Sequence, residues 1–161
     1  MWIAAAADAL QLPIFNAVRH VGGNGDNGLM DDGADHRGFR FRRAQRLSGS
    51  RAFQEVFDAR CRKNVGPLAF HARPNGLGFN RLGLSVGRRV GSAVVRSRIK
   101  RLLREAFRLE QHGLPQGYDI VTVVRPHRLA GLADYQRLLA DGAAAVDREW
   151  QRRQRRAERA E

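Results

Sequence analysis

The chain has 161 residues, 43% of them hydrophobic, which is enough for the core of one domain with tails. It carries 29 lysine and arginine residues against 16 acidic ones, and the net charge of +13 favours a polyanionic partner such as nucleic acid. A single cysteine, Cys61, excludes a disulfide framework and a cysteine-based metal site, and no run of about 20 apolar residues predicts a membrane span. We expect a cytoplasmic protein.

Residues 1–36 differ in composition from the rest of the chain. The beginning is apolar, but it has no cationic start and contains Asp8, so a secretory signal is not predicted. The second half is rich in glycine and aspartate, which is typical of a linker. We expect this extension to be disordered, or to arise from a start codon placed too early, because Met30 precedes the basic region. The alternative is an appendage that docks elsewhere.

A first helix is predicted after residue 47. Either Ser48 or Ser50 can cap it, and Phe53, Val56 and Phe57 form one apolar stripe at helical spacing. From the pattern alone, such aromatic residues are most often part of a core.

Two strands with alternating apolar residues are predicted over residues 68–73 and 81–86. The turn-rich sequence PNGLG separates them, so the pattern favours a hairpin. In residues 118–124, the odd-numbered and the even-numbered positions are both apolar, apart from Asp119 and Thr122. A strand that is apolar on both faces is typical of the middle of a sheet.

The most informative stretch is a basic helix that begins near Gly91 and Ser92, which can cap it. At about 100° per residue, one side carries an apolar ladder and the other carries cations. The ladder is Val95, Ile99, Leu102, Leu103 and Ala106. Glu105 is the only acid between residues 88 and 108, so the cations lack partners on their own helix, and like charges four residues apart repel. A partner that neutralises them is predicted.

A final helix follows, with an apolar stripe from Tyr135 to Trp150. Residues 37–150 are therefore predicted to form one α+β domain, and residues 151–161 a charged, frayed tail. The histidines show no metal or catalytic spacing, and no pair of acids has the spacing of a two-metal nuclease site. No catalytic and no metal-binding residue is predicted. Glu105 is expected to pair with Arg101 or Arg108.

Three blocks in this order resemble the bacterial ribonuclease P protein component. RLGLSVGRRVGSAVVRSRIKRLLREAFR resembles the signature of the family, SRAFQEVF its first helix, and YDIVTVVRP its last conserved strand. Two positions depart from the family pattern. Ser97 stands where the Arg-Asn-Arg motif has asparagine, so that the amide is lost, and Gly87, Arg88 and Arg89 replace Ser-Lys-Lys.

The resemblance implies a sheet of about four strands packed by helices, with a left-handed β-α-β crossover similar to the second domain of a small-subunit ribosomal protein. It also implies the protein subunit of a ribonucleoprotein endonuclease that removes the 5′ leader from precursor tRNA. In that family the RNA subunit is the catalyst and uses Mg²⁺. The implied partners are the catalytic RNA and precursor tRNA.

The resemblance implies two sets of binding residues. The RNA-contacting set is Arg88, Arg89, Arg96, Ser97, Arg98, Lys100, Arg101 and Arg104. Phe53, Phe57 and Phe70 are implied to line a cleft for the single-stranded leader, where stacking on exposed rings tolerates many sequences. Two other classes stay open: a non-enzymatic RNA-binding protein such as a ribosome-associated factor, and a double-stranded DNA binder with the basic helix in a major groove.

Overall fold

We describe residues 40–160 from a computed structural model of the chain; the N-terminal extension predicted at residues 1–36 lies outside this range. Two short 3₁₀ turns, at Arg43–Gln45 and Arg88–Val90, accompany the regular elements. Three helices and four strands follow one another in the order α1 (Ser50–Asp58), β1 (Arg62–Val65), β2 (Leu68–Pro74), β3 (Arg81–Val86), α2 (Ala93–Glu110), β4 (Tyr118–Val124) and α3 (Leu132–Glu158). The predicted α+β class is confirmed.

The four strands form one mixed sheet in the order β1-β2-β4-β3. The predicted hairpin between β2 and β3 is wrong, because β4 lies between them, antiparallel to β2 and parallel to β3. The hairpin is instead made by β1 and β2, which pair through the turn at Gly66 and Pro67. β4 is central, as its apolar character predicted, and α2 forms the crossover between the parallel strands β3 and β4.

The helix starts differ in how they are capped. The N-cap of α2 is Ser92, as predicted, and its Oγ accepts a hydrogen bond from the Val95 backbone N–H at 3.4 Å. The N-cap of α1 is Gly49, and neither predicted serine side chain caps it. Gly49 has φ +94°, a conformation that glycine adopts without strain. The start of α1 therefore depends on the backbone conformation of this glycine and not on a side-chain cap.

The main core lies between one face of the sheet and the helices α2 and α3. Leu68, Phe70 and Ala72, which alternate along β2, point into this core and meet the apolar side of α2, including Ile99 and Leu103. α1 covers the opposite face, where Val56, Leu47 and Val121 form a smaller buried cluster. The two faces of the sheet therefore have separate roles: one supports α2, and the other lies under α1.

Gly142 of α3 packs directly against the ring of Phe70 in the main core. A Cβ atom at position 142 would overlap that ring, and Phe70 is 1% exposed, so it has no room to move. We expect Gly142→Ala to lower the free energy of unfolding by up to about 2 kcal/mol, because an overpacking cost of about 1–3 kcal/mol is only partly offset by a gain of about 1 kcal/mol in helix propensity. Denaturant unfolding measures this. Combining it with Phe70→Leu should make Gly142→Ala less harmful; an equal cost in both backgrounds would contradict the packing explanation.

α3 is longer than predicted and continues as a helix through Glu158, past the point where fraying was expected. Side chains near residue 150 attach it to the sheet and to the residues that follow α1. The Trp150 Nε1–H donates to the Ala72 carbonyl at 3.1 Å, and Arg153 donates to the carbonyls of Ala59 and Arg60 at 2.9 and 2.8 Å. These anchors, which join residues distant in sequence, explain why a polar segment stays helical.

Candidate nucleic-acid interface

The basic face of α2 is separate from its core face. Ile99, Leu103, Ala106 and Phe107 are buried, whereas Ser97, Arg98, Arg101 and Arg104 are exposed. Arg96 and Lys100 are partly exposed at one border of this face, and Arg88 and Arg89 are exposed on the turn before the helix. Val94 is 78% exposed on the same surface. All eight residues of the predicted RNA-contacting set therefore have some exposure on or next to one helix.

The seven cations of this set form no ion pair with any side chain within residues 40–160. The Nε of Arg96 is buried there without a hydrogen-bond partner. Arg108 differs, since it binds Glu105 through two hydrogen bonds of 2.9 and 2.6 Å. This confirms one of the two partners predicted for Glu105, and the hydrogen bond from Arg108 lowers the pKa of its carboxyl. The last turn of α2 is neutralised internally, and the earlier turns are not.

α1 crosses the outer face of the sheet from the β3 edge toward β1. Phe53 lies over Gly83 of β3, and Phe57 meets His71 of β2 edge to face, with ring centroids 4.8 Å apart. Both phenylalanine rings are partly exposed, together with Val123, around the small buried cluster. This aromatic surface between α1 and the sheet is called the groove below. It contains two of the three predicted leader residues.

The third, Phe70, is not in the groove. It is 1% exposed on the inner face of the sheet, beneath α3. Successive strand residues point to opposite faces, so His71 takes the groove position. Burial, followed by the charge of Arg62, lowers the pKa of His71, which keeps its ring neutral near pH 7. The alternation of Leu68, Phe70 and Ala72 in the sequence was the signal that could have predicted that Phe70 faces the core.

The groove and the basic helix meet at the β3 edge. A recess of about 290 Å³ there is lined by Phe53 from α1, by Leu82 and Leu84 from β3, and by Lys100 and Arg104 from α2. Phe41 and Arg46 also line it, so two aromatic rings and three cations border one concave surface. This geometry suits a nucleic-acid strand that passes from the basic helix into the groove.

A buried charge network, not predicted from the sequence, lies under the same face. Asp119 is fully buried and accepts two hydrogen bonds of 2.6 Å from Arg81, one of 3.3 Å from Arg73 and one of 3.0 Å from Asn75. Burial alone would raise the pKa of Asp119, but these hydrogen bonds and the two positive charges outweigh it and lower the pKa. Arg73 also binds Glu55 of α1 at 2.7 Å. The network therefore ties α1 to three strands.

The close approach of Phe53 to Gly83 provides a test of the groove. A Cβ atom at position 83 would lie 2.7 Å from the Phe53 Cζ, so Gly83→Ala must displace the ring. We expect weaker binding of single-stranded RNA, on the order of one lost stacking contact, or about 1–3 kcal/mol. Fluorescence titration with a labelled oligonucleotide measures this. Gly87→Ala is the control, because a Cβ atom there meets nothing within 4 Å. Equal affinities for the two variants would remove Phe53 from the binding surface.

Other candidate sites carry less chemistry. Cys61 is buried, and burial raises the pKa of its thiol, which disfavours the reactive thiolate. Within residues 40–160, no group of three or more histidine, cysteine or acidic side chains is placed to hold a metal ion. In the same range, no helix is both long enough and apolar enough to cross a membrane.

The fold and this surface define a small α+β protein with an exposed basic helix next to an aromatic groove, features typical of nucleic-acid-binding proteins. A family model described as Ribonuclease P matches residues 41–149. The chain belongs to this family.

Individual relatives agree with this assignment. The chain is 41% identical over 80 residues to a ribonuclease P protein component of Alkaliphilus oremlandii, covering 50% of this chain and 70% of that one. It is 48% identical over 84 residues to that of Chromobacterium violaceum, covering 52% and 69%. Among solved structures, the RNase P protein of Thermotoga maritima has a TM-score of 0.56 at 29% identity, covering 61% and 94%. The Staphylococcus aureus RNase P protein, at 24% identity, shares the fold with the same TM-score and covers 65% and 96%.

Proposed function

We propose that this chain is the protein subunit of ribonuclease P and assists the endonucleolytic removal of the 5′ leader from precursor tRNA. The basic face of α2 binds phosphates of the catalytic RNA, and the groove holds the single-stranded leader. Catalysis resides in the RNA subunit, which uses Mg²⁺. The protein contributes by binding the RNA and by positioning the substrate.

The observation that carries this proposal is the set of seven cations on and before α2 that form no ion pair within residues 40–160. A helix with this many like charges is less stable alone, and phosphate contacts remove the repulsion while releasing counterions. Placing positive charge against the RNA also reduces repulsion between its phosphates, which favours Mg²⁺ binding by the RNA. The protein should therefore lower the Mg²⁺ concentration that the RNA needs.

The direct test is cleavage of precursor tRNA by the protein, by the cognate RNA, and by both together across a Mg²⁺ titration. We expect no cleavage by the protein alone and a lower Mg²⁺ requirement for the RNA when the protein is present. Cleavage without any RNA subunit would sink the proposal. Enrichment of ribosomal RNA over ribonuclease P RNA in a pull-down would favour a ribosome-associated factor.

Ser97 gives a narrower test, because it is exposed on the side of α2 that we propose contacts RNA, and it departs from the family motif. If the position orders RNA or metal, Ser97→Asn should leave cleavage unchanged or improve it at low Mg²⁺, since asparagine restores the amide carbonyl. Ser97→Ala controls for loss of the hydroxyl. A large loss of activity in the asparagine variant would show that this chain depends on serine itself.

A further inference from the structure

The C-terminal part of α3 carries a row of arginines that the proposed function does not use. At 100° per residue, five of them fall within about 100° of the helix surface. All five are exposed, and the last is at the helix C-cap. Over about 17 Å along the helix axis, this row, called the C-terminal stripe, consists of Arg148, Arg152, Arg155, Arg156 and Arg159.

The stripe has more positive charge than its neighbours neutralise. Within residues 40–160, Arg152 is its only member in an ion pair, 2.7 Å from Glu149. Glu149 also binds Lys63 at 2.8 Å and Arg153 at 3.1 Å, and these three cations lower its pKa to about 2. One carboxylate is thus shared by three cations. The remaining like charges, three and four residues apart, repel unless an anion binds them.

The part of α3 that carries the stripe is fixed near the end of α1 by side chains outside the stripe. Arg153 donates to the carbonyls of Ala59 and Arg60, directly after α1, and its guanidinium lies 4.8 Å from the centroid of the Trp150 ring. Because Trp150 in turn donates to the Ala72 carbonyl, this part of α3 is fixed to the β1–β2 side of the sheet. The basic face of α2 follows β3, at the opposite edge.

The groove joins these two basic surfaces. It begins at the recess shared by Phe53, Lys100 and Arg104, passes the Phe57–His71 contact, and reaches the end of α1 beside Arg153. If the catalytic RNA lies on α2, the leader nucleotides nearest the cleavage site enter at the first end. Nucleotides further upstream leave at the second end, close to the part of α3 that carries the stripe.

We propose that the C-terminal stripe binds phosphates of the upstream part of the precursor-tRNA leader, beyond the nucleotides held in the groove. This inference rests on the proposed function and extends it to leader length. Most of the stripe lies past residue 149, where the match to the family model ends. Binding there makes affinity increase with leader length in two phases, the first from the groove and the second from the stripe.

The test uses the complex of full-length protein and cognate RNA, with precursor tRNAs whose leaders are lengthened one nucleotide at a time. The variant is Arg148→Gln, Arg155→Gln and Arg159→Gln together, three positions without an ion pair among residues 40–160. The matched control is the triple lysine variant at the same positions, which keeps the charge, and all three residue types have similar helix propensity. Affinity is measured across a salt series.

We expect the glutamine variant to lose the second phase and to keep the affinity for short leaders and for the RNA subunit. With long leaders, the slope of log K against log salt should become shallower by about 0.7 for each phosphate contact that the glutamine variant loses. The lysine variant should resemble wild type. A second phase that persists in the glutamine variant overturns the inference, as does a wild type without one. Equal weakening for all leaders would place the stripe on the RNA subunit instead and also overturn it. In each of these cases the wild-type protein still lowers the Mg²⁺ concentration that the RNA needs for cleavage, whereas failure of the proposed function would leave that concentration unchanged when the protein is added.

Discussion

Replacing Arg98, Arg101 and Arg104 together with glutamine is expected to weaken binding to the RNA subunit on the order of 100-fold at physiological salt. Each side chain is exposed and unpaired within residues 40–160, so each is free to form a charge-assisted hydrogen bond with phosphate, worth at least about 1 kcal/mol. The slope of log K against log salt should become shallower by about 2–3. Filter binding across a salt series measures both quantities.

Comparing single substitutions at two positions of α2 separates the loss of an RNA contact from a general loss of charge. Arg101 and Arg108 lie two turns apart on one face, but Arg108 is held by Glu105. Arg101→Gln should reduce the salt slope by about 1, and Arg108→Gln should change it much less. If both variants have the same effect, the partner responds to net charge and not to the unpaired face of α2.

Replacing Arg81 with leucine is expected to cost about 3–5 kcal/mol of folding free energy. Asp119 is fully buried, and removing its bidentate partner leaves a carboxylate in the sheet with only Arg73 and Asn75. Removing one partner of a buried ion pair is costly because the remaining charge stays desolvated. Arg81 itself is 31% exposed, so we expect a cost at the lower end of this range. Denaturant unfolding measures the change. Arg51→Leu is the matched control, since Arg51 is 95% exposed in its pair with Glu55.

The pH dependence of this variant provides an independent check. In the wild type the pKa of Asp119 is lowered, so its stabilising contribution is complete above the unfolded value of about 3.9 and is lost as pH falls through the folded pKa. Without Arg81, we expect the cost of burying the charged Asp119 carboxylate to outweigh its remaining interactions. Protonation of this carboxyl then stabilises the folded variant. The difference between variant and wild type should therefore shrink as pH approaches 4. A difference that is constant with pH would mean that the loss arises from packing and not from charge.

The sequence was sufficient for features that depend on residues close together in the chain. The ladder from Val95 to Ala106 predicted the core face of α2, and Ser92 predicted its start, because both follow from helical spacing and local hydrogen bonding. The central position of β4 followed from its apolar character on both faces. For Phe53 and Phe57, the structure adds that both rings are partly exposed beside the sheet.

Features that depend on distant residues were not predictable in this way. Alternation identifies strands but not their partners, so β2 and β3 were wrongly paired although β4 separates them. β1 was missed because Arg62–Val65 is polar and lies at an edge, with only one neighbouring strand. Asp119 binds side chains that are 38 and 46 residues away in the chain, and no spacing rule connects them. Phe70 was placed in the groove by family resemblance, whereas its strand parity puts it in the core.

The central position of β4 has a consequence for synthesis of the protein. Among the described strands, β3 pairs only with β4, and β4 is the last strand to leave the ribosome. Until residue 124 has emerged, β1 and β2 can form a hairpin, but β3 has no neighbouring strand and α2 has no complete sheet to pack on. The basic helix is therefore translated before its support exists, and a nascent chain that ends before Tyr118 presents cations without the folded surface that orders them. Competence to assemble with RNA should appear late and abruptly during translation.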